Sequence, residues 1–361
     1  MSGAAVMGRP RVDADPVAAA MLANPSLTAR EVARELGCSR RTIERWRAAF
    51  CRTQAANGER VTTFVAGPVG RYHGGKWRDA PWIIGHMPPA AAVDIYVEPF
   101  AGFASVFMRK PRHQTEILND VDGAVLNVFR VLQHARYSRQ LEARLRRTPY
   151  SRAEWRRALG TVSTDPVTRA WALLVRSYMG FGSDSSSGGD TGFRTGVRKG
   201  SEARAVGSRA PVGAEWSRYP DRIAAFRERL ATVHLESAPA AEVIRRYDSP
   251  RTLFYVDPPY LPETRSARSF RKGKGYKHGM SEQDHRDLAP VLHAARGHVL
   301  LSGYASALYD GELYAGWARA EKATHGDHAR PRTEVLWLNA AASALNSATP
   351  VDAPVSPEVE R

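Results

Sequence analysis

Short apolar runs alternate, between Val69 and Asn339, with segments whose apolar residues recur at helical spacing. Five of the runs predict buried strands, because each is a short and continuous apolar stretch. They are residues 92–100, 116–120, 252–257, 297–304 and 333–339. Residues 122–135 and 281–295 predict amphipathic helices, and residues 133–178 are also helical in period. Strands that alternate with helices predict an α/β fold, a doubly wound sheet with helices on both faces.

A separate helical pattern occupies residues 15–52. Thr28 and Glu31 have capping-box spacing, Gly37 can end the helix that they begin, and Ser39 can cap the next one. The second helix carries a basic face, from which we select Arg40, Arg41 and Arg45 as DNA-binding candidates. Two helices joined by a glycine turn predict a small all-α helix-turn-helix domain.

The stretch "LTAREVARELGCSRRTIERWRAAF" resembles the helix-turn-helix of resolvase- and transposase-type DNA-binding domains. A small helical bundle with a solvated basic face is the alternative. Around this unit we expect disorder in residues 1–14, a linker over residues 53–68 and a loose tail over residues 340–361.

The net charge of the chain indicates a class of binding partner. The chain has 361 residues and a net charge of +15, which favours a polyanionic partner, nucleic acid before membrane. An Arg-rich codon bias is the alternative source of that charge. The two cysteines form neither a metal-ligand set nor a disulfide framework, which suits a reducing cytoplasm. We see no apolar run long enough to cross a bilayer and no signal-peptide core.

A glycine turn follows the first predicted strand, in "YVEPFAGFASVF". Ligands bind at the carboxyl ends of strands in such sheets, and we expect a helix after Gly102 to offer backbone N–H groups there. Asp120 ends the next strand, where an acid can accept hydrogen bonds from the ribose hydroxyls of a nucleoside. A plain structural turn at Gly102 and a helix-capping role for Asp120 remain the alternatives.

An earlier glycine pair lies in "RYHGGKWRDAPW". Gly74 and Gly75 let the backbone approach a ligand closely, and Lys76 offers a point charge for a carboxylate or a phosphate. An ordinary loop is the alternative.

The corner "DPPY" follows the strand at residues 252–257. The Asp257 carboxylate and the Pro258 carbonyl can both accept from one exocyclic amine, while Tyr260 can stack on the attached ring. Acceptors off the ring plane would favour a tetrahedral nitrogen whose lone pair can attack. A methylsulfonium is the natural electrophile and needs no metal. The alternative is a proline-stiffened strand exit, in which Pro259 only shapes the turn.

With "EPFAGFASVF" and "GGKWRDAPWI", this corner resembles the S-adenosylmethionine-dependent DNA N6-adenine methyltransferases, in the Dam-like class with phage and prophage members. The resemblance covers about residues 69–339 and implies a Rossmann-like methyltransferase domain. It implies that the corner, Asp257, Pro258, Pro259 and Tyr260, is catalytic. The cofactor-binding residues that it implies are Tyr72, Lys76, Glu98, Pro99, Phe100, Gly102, Asp120 and Asp257, with Lys76 near the cofactor carboxylate.

One departure concerns Ala104, since many members of the family have a second glycine there. The resemblance also implies that residues 135–250 hold the target-recognition insert. The enzyme should flip the target base out of the duplex. Basic loops within residues 192–218 and 261–280 could clamp the DNA backbone. The candidates there are Arg194, Arg198, Lys199, Arg268, Arg271 and Lys272.

The sequence thus predicts a monomeric, cytoplasmic enzyme of a prokaryotic or phage-infected cell, with S-adenosyl-L-methionine as cofactor and double-stranded DNA as partner. Two alternatives stay open: a DNA-binding regulator with a catalytically weak methylase fold, and a cytosine-N4 DNA methyltransferase. Methylation of a protein glutamine fits poorly with a charge of +15.

Overall fold

The computed structural model describes residues 33, 65–71, 74–181, 191–195, 212–264, 278–325 and 331–347. The predicted helix-turn-helix lies outside these residues, apart from Ala33, which is helical and buried. Nine predicted site residues also lie outside them: Tyr72, Arg40, Arg41, Arg45, Arg198, Lys199, Arg268, Arg271 and Lys272.

Seven strands form one sheet in the order β3-β2-β1-β4-β5-β7-β6. The strands are Ile95–Glu98 (β1), Thr115–Asn119 (β2), His234–Glu236 (β3), Thr252–Val256 (β4), His298–Tyr304 (β5), Ala318–His325 (β6) and Pro331–Leu338 (β7). Strands β1 to β5 pair in parallel, while β7 lies antiparallel between β5 and β6. The strand order reverses between β1 and β4, which places a ligand-binding crevice at the carboxyl ends of these two strands.

Ten α-helices accompany the sheet in the described part of the chain. They are Ala80–Gly85 (α1), Gly123–Gln133 (α2), Ala135–Arg146 (α3), Arg152–Leu159 (α4), Pro166–Met179 (α5), Val212–Ser217 (α6), Ile223–Leu230 (α7), Ala240–Tyr247 (α8), Glu282–His293 (α9) and Ala340–Ser347 (α10). Local signals fix several of their starts: the Asp122 side chain caps α2, and Ser281 and Asp284 form a capping box on α9. None of these helices has the length and apolar character that crossing a bilayer requires.

Two apolar cores lie against the sheet. Trp171 of α5 and Phe129 of α2 belong to one core, together with β1 residue Tyr96. Val243 of α8 and Leu292 of α9 belong to the other. Helices thus cover both faces of the sheet, which confirms the predicted Rossmann-like architecture.

A buried ion cluster joins the first core to the segment that follows β1. The guanidinium of Arg229 donates to Glu116 Oε2 at 2.5 Å and to the Phe107 carbonyl at 2.9 Å. Lys110 Nζ lies 2.5 Å from Glu116 Oε1. Burial opposes the charge on Glu116, but the neighbouring cations Lys110 and Arg229 outweigh it and lower the pKa of Glu116 to about 2.

All five predicted strands are present, but the pattern missed two others. Strand β3 has only three residues, and β6 (ARAEKATH) is a polar edge strand without apolar alternation. The predicted insert, residues 135–250, also runs too far, because β3 pairs with β2 and α8 follows it in the doubly wound fold.

Three other boundaries differ from expectation. The segment after Gly102 forms consecutive turns and not the predicted helix. Val65, inside the predicted linker, is buried in the first core. The prediction of a loose tail is wrong for residues 340–347, since α10 packs on the sheet and Ala342 is fully buried. Residues 348–361 lie outside the described residues.

Candidate active site

A pocket of about 420 Å³ opens where the strand order reverses. Eight of the predicted site residues line it: Lys76, Glu98, Pro99, Phe100, Gly102, Asp120, Asp257 and Pro259. The volume falls within the range of roughly 300–1,000 Å³ that is usual for small-molecule sites. The glycine turn after β1, the acid after β2 and the acid after β4 therefore share one cavity.

The turn after β1 is held in place by the side chains of Asn119, the last residue of β2, and of Asp120, which follows it. Asn119 is fully buried, donates to the Pro99 carbonyl at 2.8 Å, and exchanges hydrogen bonds with the backbone of Ala238. Asp120 Oδ2 accepts from the Gly102 N–H at 2.8 Å. No sequence motif pointed to Asn119, whose amide links the turn to the loop after β3.

Asp120 does not cap helix α2, because Asp122 does so by accepting from the Ala124 N–H at 3.0 Å. Instead, Oδ1 of Asp120 accepts from the Asp122 N–H at 2.8 Å, so both of its oxygens brace local backbone at the pocket wall. Burial raises the pKa of Asp120, although these two hydrogen bonds act in the opposite direction.

Glu98 lines the pocket but points its Oε1 into the protein. That oxygen accepts from the Tyr96 hydroxyl at 2.6 Å and from the Phe107 N–H at 2.8 Å. Burial raises the pKa of Glu98 to about 7 despite these donors. The side chain thus ties the end of β1 to the turns that follow Gly102.

Two residues of the glycine turn have left-handed backbone conformations. Gly102 has φ = 49°, and Ala104, which is also buried, has φ = 49°. A left-handed conformation costs a residue with a Cβ about 1–2 kcal/mol, a cost that glycine avoids. Ala104 therefore carries backbone strain at the pocket wall.

Three charged side chains meet at the corner after β4. Lys76 Nζ lies 3.0 Å from Asp257 Oδ1 and 3.5 Å from Glu334 Oε1. Burial raises the pKa of Asp257 to about 6, while Lys76 lowers it and Glu334 raises it further. The sequence predicted Lys76 near a cofactor carboxylate, but the structure places its ammonium between two protein carboxylates.

Tyr260 and Pro258 do not line the pocket. Tyr260 is 7% exposed, its hydroxyl donates to Glu334 Oε1 at 2.5 Å, and Lys76 Nζ lies 4.5 Å from its ring centroid. The ring contacts Tyr304 edge-to-face at a centroid distance of 4.6 Å. A base could stack on the Tyr260 ring only if a group next to that ring, such as Tyr304, moved aside.

The sequence analysis missed Glu334, although a signal existed. "TEVLWLN" predicts a buried strand, and Glu334 is the one charged residue in it. A charge inside such a strand must be paired, because an isolated buried carboxylate is very costly. The wall from β4, from α9 and from the segment before α9 was missed too, including Tyr255, Leu288 and Met280.

Arg194 is the one predicted DNA contact among the described residues. Its guanidinium lies 3.2 Å from Glu215 Oε2, and its carbonyl accepts from the Tyr150 hydroxyl at 2.6 Å. It does not line the pocket. The structure therefore gives Arg194 an ion-pair partner and leaves its contact with DNA a prediction.

The sheet order and the switch-point pocket define a Rossmann-like fold of the kind that methyltransferases have, with the acid-tipped corner in its pocket. Residues 72–155 match the family model of the D12 class N6 adenine-specific DNA methyltransferases, and residues 17–57 match that of the homeodomain-like domains. These two matches confirm the predicted resemblance to the DNA N6-adenine methyltransferases, with a helix-turn-helix domain at the N-terminus. The first match spans Lys76, Gly102 and Asp120 but ends before Asp257. Among curated proteins, a sequence search found no match.

Proposed function

We propose that the protein transfers a methyl group from S-adenosylmethionine to N6 of an adenine that is flipped out of DNA. The matched families support DNA adenine methylation and DNA binding in general. One observation supports transfer from this cofactor to this base in particular. Asp257 shares one pocket with Gly102 and Asp120. An acceptor for the target amine then lies beside the turn that would hold the cofactor.

The charge of the pocket fits a cationic cofactor. Among the described residues that line it, five side chains are acidic and one is a lysine, although the whole chain carries +15. The acids are Glu98, Asp120, Asp257, Asp284 and Asp287. S-adenosylmethionine would supply an electrophilic methyl group on a sulfonium. Such an acidic wall favours a positively charged ligand over a neutral or anionic one.

Within this proposal, Gly102 and its neighbours form the cofactor turn and Asp120 supports it. Asp257 and the Pro258 carbonyl accept from the adenine amine, which concentrates electron density on the attacking nitrogen. We assign Lys76 to holding Asp257 and not to a cofactor carboxylate, because its ammonium already contacts Asp257 at 3.0 Å. Tyr260 would receive the base on its ring after Tyr304 shifts, while Glu334 keeps the Tyr260 hydroxyl in place.

The test measures transfer of tritiated methyl groups from S-adenosylmethionine to DNA, followed by nucleoside analysis of the product. We expect N6-methyladenine from the wild-type protein and a loss of several orders of magnitude for Asp257→Ala. Asp221→Asn is the control, because Asp221 is 62% exposed in its pair with Arg146. N4-methylcytosine as the product would reject the adenine assignment, and cofactor binding without any transfer would favour the regulator.

A further inference from the structure

Glu334 is a buried acid that reaches the catalytic corner from the antiparallel part of the sheet. It lies on β7, opposite Tyr304 of β5 and Lys322 of β6, and is 3% exposed. Sheet register fixes its side chain beneath the corner, although 74 residues separate it from Tyr260. It lies well beyond residues 72–155, which carry the family match.

Two hydroxyls and one ammonium surround a single oxygen of Glu334. Oε1 accepts from the Tyr260 hydroxyl at 2.5 Å and from the Ser302 hydroxyl at 2.7 Å. The ammonium of Lys76 lies 3.5 Å from the same atom. Charge-assisted hydrogen bonds of this length are roughly twice as strong as neutral ones. The carboxylate therefore fixes the outer end of Tyr260 and one side of Lys76 at the same time.

Two of these groups, Lys76 and Tyr260, also determine the position of Asp257. Lys76 Nζ lies 3.0 Å from Asp257 Oδ1, and Tyr260 follows Asp257 across the two prolines of the corner. A displaced Lys76 would release the Asp257 carboxylate, and a displaced Tyr260 would shift the corner itself. The position of the acceptor for the target amine thus depends on Glu334 through two routes.

Burying this carboxylate carries a cost that an apolar residue would avoid. A buried ion pair is often no more stabilising than well-packed apolar residues of similar volume. Glu334 also leaves the cluster with two carboxylates against one ammonium, and this extra negative charge raises the pKa of Asp257. Stability alone is therefore a weak reason for an acid at this position.

We propose that Glu334 is a positioning residue of the methyl-transfer site, which holds Tyr260 and Lys76 so that the Asp257 carboxylate faces the target amine. This inference rests on the proposed function. It adds to the site a residue that touches neither cofactor nor base and acts through its two neighbours.

The experiment compares Glu334→Gln with the wild-type enzyme in kcat, cofactor Kd and pH profile. Glutamine keeps the volume and an accepting oxygen but removes the charge. We expect kcat to fall about tenfold or more, which corresponds to one weakened charged hydrogen bond, with cofactor Kd nearly unchanged. The acid limb of kcat should move to lower pH, because removing the negative neighbour lowers the pKa of Asp257. The other titratable groups that interact electrostatically with Asp257 are not substituted in this variant; they are Lys76, Glu98, Tyr255, Tyr260 and Tyr309.

Tyr260→Phe gives a second and independent reading. It removes the hydroxyl and keeps the ring, so kcat should fall by a similar factor. The Tyr260 hydroxyl lowers the pKa of Asp257, so the acid limb should here move to higher pH. Combining the two substitutions should add little to Tyr260→Phe alone, because that change already removes the hydrogen bond that Glu334→Gln weakens. Glu228→Gln, an exposed surface change, is the control.

The outcomes separate the two proposals. Wild-type transfer to adenine, together with an unchanged kcat and acid limb in Glu334→Gln, overturns the positioning role alone. If thermal melting shows that Glu334→Gln does not fold, full activity in Tyr260→Phe overturns it instead. Absence of transfer by the wild-type protein overturns the proposed function, and the positioning role falls with it.

Discussion

The ammonium of Lys76 lies 3.0 Å from Oδ1 of Asp257, so that a residue before β1 neutralises the acid that follows β4. Both side chains are largely withdrawn from solvent, with 5% and 18% exposed. This contact joins two segments that the sequence analysis assigned to different ligands. It also makes the charge state of Asp257 depend on Lys76, which leads to the first prediction.

Lys76→Met should move the acid limb of kcat to higher pH. Burial raises the pKa of Asp257 to about 6 in the wild-type protein, and Lys76 opposes that rise, so its removal raises the pKa further. Because the mechanism needs the carboxylate, we expect the wild-type limb near pH 6 and the variant limb above it. The measurement is kcat against pH, with Lys322→Met, in a partly exposed pair with Asp79, as control. An unmoved limb would contradict the assignment of the limb to Asp257.

The same substitution should lower stability in a pH-dependent way. An acid whose pKa is higher in the folded state than in the unfolded state, here about 6 against about 4, loses folded-state stability as the pH rises through that interval. Without Lys76 the loss at alkaline pH should exceed that of the wild-type protein by about 3 kcal/mol, because a buried charge then lacks its partner. Urea denaturation at acid and alkaline pH measures this difference.

Ala104→Gly should stabilise the protein and strengthen cofactor binding. Glycine removes the left-handed strain at φ = 49°, so the free energy of unfolding should rise by about 1 kcal/mol. The lost Cβ also widens the pocket wall where the cofactor would lie. Denaturation and calorimetric titration with S-adenosylmethionine measure the two effects. Ala101→Gly is the control, since Ala101 has no positive φ, and the same change there should destabilise.

Asn119→Asp should weaken cofactor binding more than it weakens the fold as a whole. The change removes the amide that donates to the Pro99 and Ala238 carbonyls, so the glycine turn loses its tie to the loop after β3. We expect the cofactor Kd to rise about tenfold or more, as the loss of a buried hydrogen bond implies. Asn127→Asp removes a similar bond to the Pro166 carbonyl within the helices. Equal changes in Kd for the two variants would count against a specific role for Asn119.

Arg229→Met should destabilise the protein by about 3–5 kcal/mol at neutral pH, because it leaves the buried Glu116 carboxylate with one cation fewer. The pKa of Glu116 is lowered to about 2, so its contribution to stability is present above about pH 4 and is lost as the pH falls towards 2. Chemical denaturation checks both effects, with the exposed Arg227→Met as control. A double variant with Glu116→Leu should recover part of the loss, and failure to recover any would show that the cost is not electrostatic.

Replacing Arg40, Arg41 and Arg45 together by alanine should raise the KM for DNA and leave the cofactor Kd unchanged. Each lost phosphate contact should also reduce the salt dependence of binding, by a slope of roughly one. The matched control replaces Arg251, Arg286 and Arg296, three exposed or partly exposed arginines that are paired with acids. If both triple variants respond alike, net charge explains the effect and the N-terminal domain has no specific role.

Periodicity predicted the five apolar strands and the alternation of strands and helices, because burial on both faces of a central strand leaves a continuous apolar run. It failed for β6, whose edge position needs no such run, and for the turns after Gly102. The sequence predicted those pocket-lining residues that lie in local motifs, such as Lys76, Gly102 and Asp257. Glu334 and Asn119 could not be assigned roles, since their partners lie at positions that only the strand order determines.

Strand β7 enters the sheet between two strands that precede it in the chain, and it brings Glu334 with it. A polypeptide that stopped before residue 331 would still contain every residue of the motifs that resemble a methylase, yet Tyr260 would have no carboxylate to hold it. A frameshift or a nonsense mutation ahead of β7 would therefore leave every methylase-like motif intact and still remove the side chain that supports the corner.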